Sequence, residues 1–225
     1  MKKPVVDYRE FRFSRINEPR FSHVKLLAGW IVYFAMYFIT ENLIPPERCH
    51  AVHSVLDDLI PFNEFFAIFY VAWFFVVFGA LLYSFLYNVE GFRNLQRFLI
   101  VTQVVAMAVY VIWPSRQDLR PESFARDNLL TWVMGFIYAF DTPTGVCPSL
   151  HVGYSIAVAA TAQKDARFPA WGKAALWLFT ALIAYTVCAV KQHSAVDVLA
   201  ALPMCLLAEI LVFGKSYWLP RLRRA

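Results

Sequence analysis

Six stretches of this chain are too apolar to be left in water and close to the length that crosses a bilayer. No other property limits the fold as tightly, because a spanning helix takes roughly 20 apolar residues. The stretches are residues 26–44, broken only by Glu41 near the end, 65–87, 98–113, 150–162, 174–190 and 194–214, which holds Asp197 and Glu209. The fourth is short and is expected to borrow a turn from residues 163–168. Residues 129–140 are apolar but too few to cross, and are expected at the interface or re-entering. Composition agrees: 60% of residues are hydrophobic and 16% charged, where a soluble domain is about a quarter charged. A water-soluble, disordered, collagen-like or disulfide-scaffold chain is thereby excluded. The expectation is an all-α membrane protein, a six-transmembrane-helix bundle with an interfacial helix before the fourth span. With no internal repeat or linker, one domain over 26–214 is expected, flanked by a basic N-terminal segment (1–25) and a basic tail (215–225).

A net charge of +5 would suggest nucleic acid in a soluble protein. Here the distribution of the basic residues points to the bilayer instead, and no nucleic-acid partner is expected. With the N-terminus inside, sixteen of the 21 Lys and Arg residues fall on cytoplasmic segments and five (Arg48, Arg116, Arg120, Arg126, Lys191) on outer ones, as cytoplasmic retention of positive charge requires. Both termini are then cytoplasmic. The first 25 residues lack a small-residue cleavage site and read as a retained interfacial segment drawn to anionic lipid.

Ionisable groups at membrane depth are costly and raise a functional hypothesis. His193 and Asp197 open the sixth span four residues apart, so they share a helix face. A carboxylate there fixes the imidazole tautomer and leaves the other nitrogen as a base or nucleophile. The bland alternative is a structural His–Asp pair. Ser149, Leu150 and His151 open the fourth span, where Ser149 is a plausible N-cap and His151 alone would be a packed interfacial histidine. Taken together, both spans start at the outer face and bring both histidines there. Their helix N-termini favour an anion such as phosphate, and Arg116, Arg120 and Lys191 lie on the same side. The reading is an extracytoplasmic-face active site.

With these residues in view, the sequence resembles the type 2 phosphatidic acid phosphatase superfamily over roughly residues 26–214. Arg120-Pro121 matches that family's first segment. Pro148-Ser149-Leu150-His151 matches the second, with Leu150 in place of Gly, and His193 with Asp197 matches the third. The resemblance implies that His193 is the nucleophile, forming a phosphohistidine, that Asp197 orients it and that His151 protonates the leaving oxygen. It further implies that Arg120, Ser149 and the backbone at Leu150 bind phosphate. Two family cations are missing: Trp113 stands where the family has Lys and Val187 where it has Arg. Lys191 and Arg116 are the expected replacements. These departures resemble the branch containing inositol phosphorylceramide synthase and sphingomyelin synthase, which transfer a phospho-headgroup to a lipid alcohol.

The expected activity is cleavage of a membrane lipid phosphate ester through a phosphohistidine, without metal or other cofactor. Hydrolysis is preferred narrowly, because water needs no second binding site; headgroup transfer is the alternative. A non-enzymatic haem-binding protein using His151 and His193 as ligands, or a lipid-binding scaffold, is the rival from another class. Cys49, Cys147, Cys188 and Cys205 have no metal spacing, and no Cys49–Cys147 bond is expected. Cys49, His50 and His53 lack a fourth zinc ligand. Asp57, Asp58 and Glu64 either line the mouth of the site or cap the second span, and Glu209 faces either a buried partner or the inner interface.

Overall fold

The computed structural model describes residues 4–223; Lys2, Lys3 and Arg224 of the basic termini lie outside them. Three 3-10 turns (Tyr8–Glu10, Phe13–Arg15, Ser22–Leu27) lead into α1 (Ala28–Leu43). Then come β1 (His50–Ala51), α2 (Val55–Leu59), α3 (Ala67–Tyr87), α4 (Val89–Ile112), β2 (Ser115–Arg116), α5 (Leu129–Phe140), α6 (Leu150–Lys164), α7 (Ala170–Ala189) and α8 (Ala195–Phe213). A π-helical turn (Gly214–Trp218) and α9 (Leu219–Leu222) close the described chain. Five helical stretches are long and apolar enough to cross a membrane: Ser22–Leu43, Glu64–Tyr87, Val89–Ile112, Ala170–Ala189 and Ala195–Leu222. Their outer faces expose large apolar side chains such as Phe34, Phe75, Phe78, Leu178 and Leu211, the surface that lipid rather than water solvates. The protein is therefore an all-α membrane protein.

Helix α6 is shorter than these five, at 15 residues, or about 22 Å of rise. It sits in the middle of the bundle, packed by α4, α7, α8 and α3. Small buried residues (Gly153, Ser155, Ala157, Ala159, Ala160) let its neighbours approach, the usual device where no hydrophobic force separates helix from lipid. A Cβ on Gly153 would come within 3.0 Å of Met204 Cε. Centrality explains the short apolar run: α6 is wrapped by protein and has no need of a lipid-facing length.

Three boundaries differ from the hydropathy pattern. Helix α4 begins at Val89, nine residues before the apolar run, capped by Asn88, whose side chain accepts the Gly91 N–H at 3.0 Å. Its first turns are polar because Arg93 donates to Pro19 O and Ser22 Oγ in the N-terminal segment. Helix α7 starts at Ala170, after Pro169 and four residues before the apolar run, without a side-chain cap. Helical structure continues past residue 215 to Leu222. Glu209 supplies an anchor, pairing with Lys164 at 2.6 Å and accepting the Trp218 indole N–H at 2.6 Å.

The loops divide between two ends of the bundle. At one end Val5 N–H bonds Leu86 O, the Tyr8 hydroxyl bonds Phe85 O and Asn88 donates to Asp165. At the other end β1 and β2 pair in parallel, His50 with Ser115 and Ala51 with Arg116. There Asn63 N–H meets Ala189 O, and Gly145 N–H meets Ser115 O. Gly145 has φ +59°, a left-handed conformation glycine adopts without penalty. Helix α5 lies at this second end with Leu129, Trp132, Phe136 and Phe140 exposed along one face.

Candidate active site

The start of α8 is over-determined. Ser194 caps it by accepting the Val196 N–H at 3.2 Å, and Asp197 Oδ2 returns a bond from the Ser194 N–H at 2.9 Å, a capping box. The same Oδ2 lies 3.2 Å from His193 Nδ1. With the proton assigned to Nδ1 by that bond, Nε2 keeps its lone pair.

Asp57, from the short α2 between α1 and α3, clamps this helix start from outside. Its carboxylate accepts the Ser194 hydroxyl at 2.5 Å and the Ala195 N–H at 2.8 Å. Burial pushes the Asp57 carboxyl up, but the Ser194 hydroxyl, the Ala195 N–H and the Ser54 N–H and hydroxyl outweigh it and hold it below the usual carboxylate range. A depressed carboxyl stabilises above its unfolded pKa, and that stability is lost as pH falls through the folded value. Asp57→Asn should therefore be less stable than wild type by about 1–3 kcal/mol at about pH 7. Melts in detergent should show the gap closing below the usual carboxylate range; a gap that persists at about pH 3 would assign the effect to shape rather than charge.

Helix α6 starts beside α8 and is tied to it through the backbone. Ser149 is fully buried, its Oγ faces the Val152 N–H at 3.5 Å, and its own N–H donates to Asp197 O at 3.0 Å. Leu150 is the first helical residue and lines the site cavity. His151 follows, its ring lodged against Tyr70 and Trp73 with centroids 4.8 and 4.5 Å away. His151 Nδ1 then stands 3.1 Å from His193 Nε2. Two imidazoles from separate helix N-termini meet; with the Val152 and Gly153 N–H groups turned to Ser149, those of Leu150 and His151 are left at the helix start, where they can serve an anion.

The cations fare differently from their sequence expectation. Arg120 comes close: its guanidinium donates to Asp141 O at 2.7 Å, to Tyr138 O and Thr142 O at 3.3 Å each, and to Gln192 Oε1 at 2.5 Å. It stacks on Tyr138 at 4.5 Å, and its Nε is buried without a partner. Lys191 does not reach the cavity. It sits at φ +54°, past the end of α7, where its N–H bonds Cys188 O and the Gln192 N–H bonds Val187 O, a Schellman ending usually given to glycine. Its buried Nζ donates to Asp57 O at 2.8 Å and Ile60 O at 2.5 Å, so its charge caps the α2 turn. Arg116 is also used elsewhere, on Asp118 and Pro46 O.

A cavity of about 70 Å³ is lined by both histidines and Leu150, with Glu41, Asp141, Tyr33, Tyr37, Tyr110 and Gln192 among its walls. A single water needs ~10–15 Å³ of such volume, so the cavity has room for a small polyatomic group. Glu41, at the end of the first apolar run, and Asp141, just after the short one, were not assigned to the site from sequence. Both are acids ending apolar runs, which was the available signal. Glu64 binds Arg126 and Asn128 instead of facing the cavity. All four cysteines are free; burial first, and then the Asp197 carboxylate, push the Cys147 thiol up to about 12. Compared with protein-family models, curated proteins and solved structures, the chain finds no match, and the site is read from its own residues.

Proposed function

We propose that this protein is a membrane phosphoryl-transfer enzyme that cleaves a lipid phosphate ester through a phosphohistidine, in the manner of the type 2 phosphatidic acid phosphatases. In this reading α6 is the fourth of six spans, both termini are cytoplasmic and the histidines face outward, as the distribution of basic residues supports. The observation that carries it is the 3.1 Å approach of His151 Nδ1 to His193 Nε2, with Asp197 behind His193.

His193 Nε2 attacks phosphorus, the bond from phosphorus to the ester oxygen breaks, and His151 gives that oxygen a proton. An acceptor O–H then loses its proton to His151, bonds to phosphorus and releases His193. Asp197 holds the Nδ1 proton and balances the charge on the ring. Arg120 Nε and the first N–H groups of α6 stabilise the phosphate oxygens, since phosphoryl transfer needs mainly placement and charge. The nucleophile needs about 3 Å to phosphorus and the acid about 3 Å to the leaving oxygen beyond it, so the two ring nitrogens, 3.1 Å apart here, part by roughly 4 Å when substrate enters.

Water as acceptor gives a phosphatase. One observation favours an alcohol and headgroup transfer: Lys191 and Arg116 are spent on backbone carbonyls and Asp118. That leaves one guanidinium beside the cavity, which suits a singly charged diester better than a dianion.

Purified protein incubated with lipids radiolabelled at phosphorus should acquire label that is lost in acid and kept in alkali, as a phosphorus–nitrogen bond requires. Sealed vesicles should release soluble product on the side of the histidines. An acid-stable label, or turnover that survives loss of His193, would overturn the reading.

A further inference from the structure

Helix α5 has a face that no other part of the described chain covers. Its 12 residues, Leu129–Phe140, contain no charged side chain. Thr131 and Met134 are buried, whereas Leu129, Trp132, Phe136 and Phe140 are between 64% and 81% exposed. The rings of Trp132 and Phe136 stack, with centroids 6.3 Å apart. At about 1.5 Å per residue the helix is roughly 18 Å long, too short to cross a membrane. Both of its ends are tied at the same end of the bundle, so it lies across that end and does not descend into it. Asn128, its cap, donates to Glu64 in the turn before α3 at 3.2 Å. Near the other end the Tyr138 hydroxyl donates at 2.6 Å to Val190 O, just past α7, and the starts of α3 and ends of α7 are joined through Asn63 N–H and Ala189 O.

An exposed apolar face edged by charge marks an interaction surface, and two observations make lipid its partner. The face continues one that lipid already solvates: α5 packs on α3 and the turn before it, where Phe65 and Ile68 are themselves exposed. Its charge is confined to the stretch before the helix. A groove of about 480 Å³ along α5 is lined by Arg126 and Asp127 from that stretch together with Phe124, Trp132 and Phe136. Rings beside charge suit the headgroup region, where tryptophan concentrates.

The C-terminal end of α5 belongs to the site. The last carbonyls of a helix lack intrahelical partners, and here Arg120 supplies the donors, reaching Tyr138 O, Asp141 O and Thr142 O. A cation is favoured at that end by the helix dipole as well. The same guanidinium stacks on the Tyr138 ring at 4.5 Å and donates to Gln192, the neighbour of His193. Arg120 is therefore the cap of α5 and a member of the site at once, and its place follows the helix.

We infer that α5 is seated in the bilayer by Leu129, Trp132, Phe136 and Phe140, and that this seat holds Arg120 in register with the histidines. The seat stands independently of any reaction; its effect on turnover rests on the phosphoryl-transfer reading above. A loosened α5 lets the guanidinium drift, and a small misplacement of a charge-stabilising group is costly in rate.

Full-length protein in vesicles of phosphatidylcholine brominated on its acyl chains should lose Trp132 fluorescence, read as the difference between wild type and Trp132→Phe. The loss should be greatest with bromines nearest the headgroup. Trp132 emission that bromine spares and dissolved iodide quenches puts α5 in water, and emission that neither reaches puts a second copy of the chain over it. Either result overturns the inference. Turnover is then measured in plain phosphatidylcholine vesicles with dihexanoyl phosphatidic acid and dihexanoyl phosphatidylinositol below their micellar concentrations, substrates that need no delivery from the bilayer. Trp132→Ser with Phe136→Ser, both outside the reacting groups, should melt as wild type does and lose about tenfold in kcat. Trp132→Phe with Phe136→Leu, which keeps the face apolar, should stay within about twofold of wild type. A serine variant with wild-type kcat overturns the inference and leaves phosphoryl transfer standing. No turnover of either substrate by well-folded wild type, with Trp132 quenched by bromine, removes the phosphoryl-transfer reading and leaves the seat in lipid standing.

Discussion

His193→Ala is expected to reduce turnover of a lipid phosphate ester by about 10³-fold or more, because in the proposed reaction it removes the atom that bonds to phosphorus. Asp197→Asn keeps the imidazole but replaces the acceptor that fixes its tautomer, and about 10²–10⁴-fold is expected from it. The ring of His193 is buried beside a carboxylate that also serves the Ser194 N–H at 2.9 Å. The alanine variant therefore leaves Asp197 with a donor, and its stability should fall by no more than about 1–2 kcal/mol. Rates measured beside thermal melts separate the two roles. A structural His–Asp pair predicts a large loss of stability with the surviving folded fraction fully active; a nucleophile predicts the reverse.

The second large effect is expected at Arg120. Arg120→Leu leaves the carbonyls of Tyr138, Asp141 and Thr142 and the Gln192 amide oxygen without the donor they share. Each unsatisfied buried acceptor costs about 1–3 kcal/mol, and partial relaxation brings the sum to roughly 3–5 kcal/mol. Activity should fall with it, because Gln192 adjoins His193 and loses its shortest contact. Arg120→Lys should recover only part of either quantity, since an ammonium cannot present a planar fork to four acceptors. Denaturation in detergent provides the check. Unchanged stability with a raised KM would mean that Arg120 is a phosphate clamp and nothing more.

The sequence carried the parts of this protein that one-dimensional patterns encode. Apolar runs marked the bundle helices. The four-residue spacing of His193 and Asp197 placed them on one face, and the two histidines opening separate apolar runs came together within hydrogen-bond reach. What stayed hidden was decided by long side chains and by loops meeting across the fold. Lys191 stands two residues from His193, yet a positive φ at the end of α7 turns its stem toward the α2 turn. Arg116 is held by the β1–β2 pairing. Asp57 reaches α8 across 137 residues of chain, a distance no local pattern spans. Glu41 and Asp141 enter one cavity only because α1 and the loop after α5 converge there. The early start of α4 escaped hydropathy because its polar first turns are held by the N-terminal segment.

The backbone bond from Ser149 to Asp197 has a bearing on how the surrounding lipid acts. Membranes of unequal hydrocarbon thickness tilt spanning helices to different degrees. Because this bond joins the beginnings of α6 and α8 directly, the two lean as one piece and the spacing of their imidazoles is inherited from protein alone. Under the proposed reaction, lipid chain length then governs how readily a substrate arrives, while the two imidazoles are expected to keep the same alignment in thin and thick bilayers.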